Sequence, residues 1–199
     1  MRTAYCFDLD GTITSTEILP CIASELGVAD EIATLTRITM DGLIPFEASF
    51  RLRCLILGQV SPSKVCSIVS EIPIDKSILS FIHENRADAF IVTGNLDIWI
   101  RPLLDLCGCR FYSSTGFYDK GLIRVDNVLN KADAIAEIRS LGYDRIVAIG
   151  DGANDAPMLY AADVSIAYGG VHSPSSTAKE AASHIVHEGV ALCKMLRAL

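Results

Sequence analysis

Short apolar blocks recur at residues 3–7, 88–92, 109–113, 145–149 and 163–167, and turn residues bound them. Runs this brief read as buried strands rather than helices. Helix-period segments lie between the later blocks, at about 77–86, 96–107, 131–141 and 154–162. Strands alternating with helices dictate an α/β fold, with a parallel, Rossmann-like sheet covered on both faces. Leu141-Gly142 closes one helix with a C′ glycine. Pro102 leaves two readings of the 96–107 segment, a kink or a shorter helix.

The interval 16–72 breaks this alternation. It carries turn signals at Gly27, Gly42–Pro45 and Gly58–Pro62 and no clear strand. An all-helical insertion after the first strand is the economical reading. It divides the chain into an α/β core of residues 1–15 and 74–199 and a helical unit of 16–73. The connections near 13–16 and 73–76 then act as hinges.

The stretch AYCFDLDGTIT, residues 4–14, delivers Asp8 and Asp10 at the end of a buried strand. Carboxylates there are costly to desolvate without a cation or hydrogen bonds. A second acidic cluster, GDGANDAPM at 150–158, sets Asp151 and Asp155 just past another strand. A third strand, AFIV, ends at Thr93-Gly94-Asn95, and Lys131 opens a helix. In open α/β sheets ligands bind outside such strand ends. Four carboxylates against one lysine repel: two like charges 4 Å apart cost about 4 kcal/mol at an effective dielectric near 20. A divalent cation removes that conflict, and oxygen-only ligands favour Mg²⁺. Gly11, Gly94 and Gly152 allow backbone N–H groups close approach to an anion.

Bulk properties narrow the partners. Half of the 199 residues are hydrophobic and 21% are charged, which suits one compact domain or one domain with a small insertion. A net charge of −7 without any Lys/Arg run argues against nucleic acid. No basic leader with a long apolar stretch is visible, and no run is long enough to cross a bilayer. The seven cysteines, scattered through apolar segments, read as reduced in a cytoplasmic protein. His83, His172, His184 and His187 belong to none of these clusters, and His172, within the loop-like GGVHSPSST, is the one to watch.

DLDGT, TGN, Lys131 and GDGANDAPM, in that order, resemble the four motifs of the haloacid dehalogenase superfamily of phosphatases. The resemblance implies Asp8 as nucleophile, forming an aspartyl phosphate. Asp10 becomes the general acid and then the base. Mg²⁺ is held by Asp8, the Asp10 carbonyl and Asp151, with Asp155 further out or bridged by water. Thr93 and Lys131 bind phosphoryl oxygens. The helical insertion falls where that family carries a cap over small substrates. Receiver-like signalling domains hold an aspartyl phosphate with similar residues, but they lack such an insertion.

Within the insertion, Phe46, Phe50, Arg53 and Leu57 share one helical face, so Arg53 lies inside an apolar stripe. A buried arginine wants an anion. A substrate carboxylate is one candidate and a pair with Glu47 or Glu17 the other. Glu17 alternatively reads as a first-turn acid favoured by the helix dipole. TMDGLIPFEASFRLRC resembles the cap signature of phosphoserine phosphatases. By that resemblance Glu17 meets an ammonium, Arg53 a carboxylate, Met40 and Phe46 form walls, and Asn154 adds a polar contact. The second motif departs from the subfamily's usual Ser-Gly-Gly. The expected function is thus Mg²⁺-dependent hydrolysis of a small phosphate ester, with O-phosphoserine first. Phosphohomoserine, a sugar phosphate, a vitamin-precursor phosphate or transfer to an alcohol is the alternative.

Overall fold

A computed structural model describes all 199 residues. Strand β1 (Thr3–Phe7) leads through four helices, α1 (Ile18–Ala23), α2 (Ala29–Met40), α3 (Phe46–Leu57) and α4 (Pro62–Ser70). Helix α5 (Lys76–Glu84), β2 (Ala89–Leu96), α6 (Asp97–Cys107), β3 (Arg110–Asp119) and β4 (Leu122–Asn127) follow. The remainder is α7 (Lys131–Ser140), β5 (Arg145–Gly150), α8 (Ala156–Ala161), β6 (Val164–Tyr168), α9 (Ser176–Ala181), β7 (His184–Val186) and α10 (Gly189–Ala198).

The strands form one sheet in the order β4-β3-β2-β1-β5-β6-β7, parallel except for the antiparallel β3–β4 pair. Alternation along each central strand explains the two covered faces. Ala4 and Cys6 of β1, Phe90 and Val92 of β2, and Ile146 and Ala148 of β5 pack in one apolar cluster. Phe7, Ile91, Val147 and Ile149 pack in the other. Both faces being apolar is what a sheet flanked by helices on two sides requires. The second cluster continues into α1, α3 and α4 through Ile18, Ile22, Phe50, Leu57, Val65 and Val69.

Side chains start several helices. Asp75 accepts from Ser77 N and Ile78 N to cap α5, and Asn130 accepts from Ala132 N to cap α7. Pro102 lies inside α6 without ending it; the helix runs to Cys107 and stops at Gly108 in the left-handed region.

The sheet departs from the expected pattern at three places. Strand β2 extends through Thr93–Asn95 to Leu96, with a register irregularity against β3, so this motif is part of the strand rather than a turn after it. Strand β3 doubles back as β4 over Lys120 and Gly121, both at positive φ. Beyond residue 168, strand β7 adds an unexpected parallel partner to β6.

The four-helix excursion leaves and returns at one point. Thr14 and Ile74 form an isolated antiparallel bridge, with Ser15 N donating to Pro73 O (2.8 Å) and Asp75 N to Ile13 O (2.9 Å). The far end of α3 rests on the hairpin, where Ile123 N donates to Gly58 O (2.9 Å). No single helix is long and apolar enough to cross a membrane.

Candidate active site

Strand β1 delivers Asp8 to the carboxyl edge of the sheet, its N–H still paired to Ile149 O of β5 (2.8 Å). Lys131, the first residue of α7, donates to Asp8 Oδ1 and Asp155 Oδ1, both at 2.5 Å, and all three are buried. Asp155 Oδ2 also accepts from Asp151 N (2.9 Å) and Gly152 N (2.8 Å). Asp151 Oδ1 accepts from Thr12 Oγ1 (3.0 Å).

The electrostatics of this knot are unbalanced. Burial, and then the Asp155 charge, push the Asp8 carboxyl up to about 7 despite Lys131. Burial, Asp155 and Asp8 hold Asp151 well above the carboxylate range. Burial alone would lower Lys131, but Asp155 and Asp8 outweigh it and keep the amine charged. Asp8 Oδ2 and Asp151 Oδ2 are buried without a hydrogen-bond donor; the nearby His172 Nε2 lies 3.3 Å from Asp151 Oδ2 without hydrogen-bonding geometry. Asp8, Asp151 and Asp155 each bring an oxygen within 4.8 Å of the others. Two orphaned hard oxygens within such a carboxylate cluster fit a divalent cation.

Asp10 faces the other way. Its Oδ1 accepts from Ile18 N (2.9 Å) and its Oδ2 from Asn95 Nδ2 (3.1 Å). Burial, then the Glu17 charge, raise its pKa well above the ordinary value, a shift that favours the protonated form. That is the state a general acid needs.

Asp8 and Asp10 open onto a small cavity that also meets Glu17, Met40, Phe46, Arg53, Thr93, Gly94 and Asn154. The structure therefore gathers every expected substrate-side residue at one cavity, while Lys131, Asp151 and Asp155 do not line it. Two cap-side groups press on core glycines. A Cβ on Gly94 would lie 2.4 Å from Phe46 Cζ, and one on Gly152 2.1 Å from Met40 Cε. These glycines thus admit cap side chains, beyond any role toward an anion. The Phe46 ring is itself stacked on Phe50 at 5.4 Å.

Arg53 is 2% exposed. Its Nη1 donates to Thr36 Oγ1 (2.8 Å), its Nε reaches Ser49 O at 3.4 Å, and Nη2 has no partner. Neither expected acid pairs with it: Glu47 bonds Arg51 on the exposed side of α3, and Glu17 Oε1 bonds His172 Nε2 (3.2 Å). Glu17 precedes α1 but caps nothing with its side chain. Burial lowers the Arg53 pKa, yet a guanidinium stays charged.

Four participants escaped the sequence reading: Thr12, Thr36, Asn95 as a side-chain donor, and His172 as a contact of Glu17. Thr12 was the most accessible, lying inside the first motif. His172 is 155 residues from Glu17, and no local pattern announces that meeting.

A crevice at the carboxyl ends of parallel strands, charged for a cation and an anion together, defines an α/β enzyme of the kind that handles phosphoryl groups. The chain belongs to the haloacid dehalogenase-like hydrolase family, whose profile matches residues 6–160. Among curated relatives, it is 27% identical to a phosphoserine phosphatase of Methanocaldococcus jannaschii over 81% of this chain and 83% of that protein. It is 26% identical to the Homo sapiens phosphoserine phosphatase over 84% of this chain and 81% of the relative. Among solved structures, a substrate-bound phosphoserine phosphatase complex superposes with a TM-score of 0.85 at 25% identity, covering 100% of this chain and 98% of that one. A phospho-aspartyl intermediate analogue of phosphoserine phosphatase gives 0.84 at 25% identity, with the same coverage.

Proposed function

We propose that this chain is a Mg²⁺-dependent phosphomonoesterase that hydrolyses O-phosphoserine through an aspartyl phosphate on Asp8. One observation carries the substrate: a buried arginine with a free Nη2 and the Glu17 carboxylate line the same small cavity above Asp8. A cation and an anion so placed complement the carboxylate and ammonium of an amino acid. Likeness to phosphoserine phosphatases over most of the chain supports the same substrate. Residues 1–15 and 74–199 serve as the catalytic core and 16–73 as its cap.

In the first step an Asp8 oxygen attacks phosphorus, and Asp10 gives its proton to the departing serine oxygen. In the second, Asp10, now a carboxylate, takes a proton from water as that water attacks phospho-Asp8. Lys131, fixed between Asp8 and Asp155, and the Thr93 hydroxyl hold the equatorial oxygens. Asp8, Asp151 and the Asp10 carbonyl, beside Asp155, would hold Mg²⁺, which when bound would supply positive charge that favours ionised Asp8 and offsets the phosphoryl group. Phe46 and Met40, seated on Gly94 and Gly152, exclude water and bulky esters.

The test is phosphate release from O-phosphoserine, O-phosphoethanolamine, glycerol phosphate and a nucleoside monophosphate, with wild type and Asp8→Asn. We expect O-phosphoserine to lead the panel by at least about tenfold and Asp8→Asn to lose turnover in all four while remaining folded. Turnover by Asp8→Asn, or preference for an ester without a carboxylate, refutes the reading.

A further inference from the structure

The loop between β6 and α9 contributes the one side chain that holds Glu17. Both ends of this loop are pinned. Gly169 N donates to Val186 O (2.8 Å) and Ser175 N to Asp151 O (2.9 Å). Ser175 Oγ caps α9 at Ala178 N (3.1 Å), and Lys179 Nζ reaches Ser173 Oγ (2.8 Å). The His172 ring, 40% exposed, therefore stands at a defined place against the active site. Its Nε2 is 3.2 Å from Glu17 Oε1 and its Nδ1 is 3.4 Å from Ser173 O. Glu17, as a carboxylate, can only accept, so this contact is a hydrogen bond donated by the Nε2–H of the ring.

Glu17 has no other hydrogen bond. It lies, with Thr36 and Met40, in the wall that separates the inner cavity from an outer one holding Arg37 and His172. A glutamate with three free torsions can turn to either side, and Arg37, which has no acidic partner, is the attraction on the outer side. The His172 bond to Oε1 removes that freedom and leaves Oε2 for a ligand.

We infer that His172 is a positioning residue that sets substrate preference, fixing Glu17 where it recognises the ammonium group of an amino-acid phosphate ester. This rests on the phosphoserine reading above. It assigns the selectivity to a core loop outside the four motifs rather than to the cap alone.

The experiment compares wild type, His172→Ala and His172→Gln on two esters in Mg²⁺. One is O-phosphoserine; the other is phosphorylated 3-hydroxypropionate, which keeps the carboxylate and phosphate but lacks the amine. In His172→Ala the KM for O-phosphoserine rises about tenfold, the loss of one oriented charge contact, while kcat stays within about twofold. The amine-free ester keeps its KM within about twofold. Glutamine, whose Nε2 donates from a similar position, restores most of the preference. Equal losses on both esters, an unchanged KM, or a shifted Mg²⁺ requirement overturns the inference and makes His172 a structural or Asp151-linked residue. Wild type that releases no phosphate from O-phosphoserine removes the substrate reading itself, and this inference with it.

Discussion

Arg53→Met separates stability from recognition at a single position. Arg53 is buried with one nitrogen bonded to Thr36 and another without a partner. A buried ion costs several kcal/mol in desolvation, and here the Asp10 and Glu17 charges offset only part of it, since burial still lowers the Arg53 pKa. Methionine keeps the stem against Phe50, whose ring lies 6.0 Å from the guanidinium carbon, and removes the charge. Against that gain stands the bond to Thr36, whose loss and orphaned hydroxyl cost about 1–3 kcal/mol. The balance favours the variant by about 1–2 kcal/mol, which raises the melting temperature by roughly 3–6 °C in a chain of this size. Recognition moves the other way. Losing the buried partner of a substrate carboxylate costs about 3 kcal/mol, on the order of a hundredfold in kcat/KM for O-phosphoserine. O-phosphoethanolamine, which lacks the carboxylate, changes by less than about threefold. Thermal unfolding without ligand and paired kinetics on the two esters provide both readouts. A destabilised variant would refute the desolvation reasoning, and equal losses on both esters would make Arg53 a structural residue.

Gly94→Ala drives a methyl into the Phe46 ring, which is clamped by Phe50 and cannot retreat freely; we expect roughly 1–3 kcal/mol of destabilisation and a KM raised about tenfold, by urea unfolding and steady-state kinetics, and unchanged values would show that the ring moves aside. In chelator, stability depends on pH through the carboxyls whose folded pKa values exceed their unfolded ones. Asp8, raised from 3.8 to about 7, gives stability that is present below about pH 4 and lost as pH rises toward 7; Asp10 and Asp151 act in the same direction. The melting temperature of the metal-free protein therefore falls between pH 4.5 and 7.5, and a rise over that interval would contradict the buried-acid account. Added Mg²⁺ stabilises the protein by more at pH 7.5 than at pH 5, because its ligands must be ionised to hold it; equal shifts at both values would argue against a carboxylate-bound cation.

The core was legible because its strands are short, apolar on both faces and interrupted by carboxylates that no buried strand end tolerates for packing reasons alone. Asp8, Asp10 and Asp151 could be assembled from strand ends, and Lys131 from a helix start, without coordinates. The β3–β4 hairpin was written in Tyr118–Leu122, where Lys120-Gly121 forms a two-residue turn between β-rich runs, but a mostly exposed strand lacks the apolar signal that marked the others. Strand β7, three residues long and largely exposed, gives less signal still. Arg53 was recognisable by its place in an apolar stripe, whereas its bond to Thr36 depends on how α2 and α3 cross. The contacts of Asn95 with Asp10 and of His172 with Glu17 join residues far apart in the chain, and local pattern carries no information about such meetings.

Residues 15 and 73, where the chain leaves the sheet for the four helices and comes home, are hydrogen-bonded neighbours. Whatever lies between them is closed into a loop whose ends already touch, so its length and content are nearly independent of strand order. The segment behaves as an exchangeable cassette plugged into a two-pronged socket. A different helical unit grafted between Thr14 and Asp75 should change which esters are admitted while leaving the phosphoryl-handling end of the sheet in place.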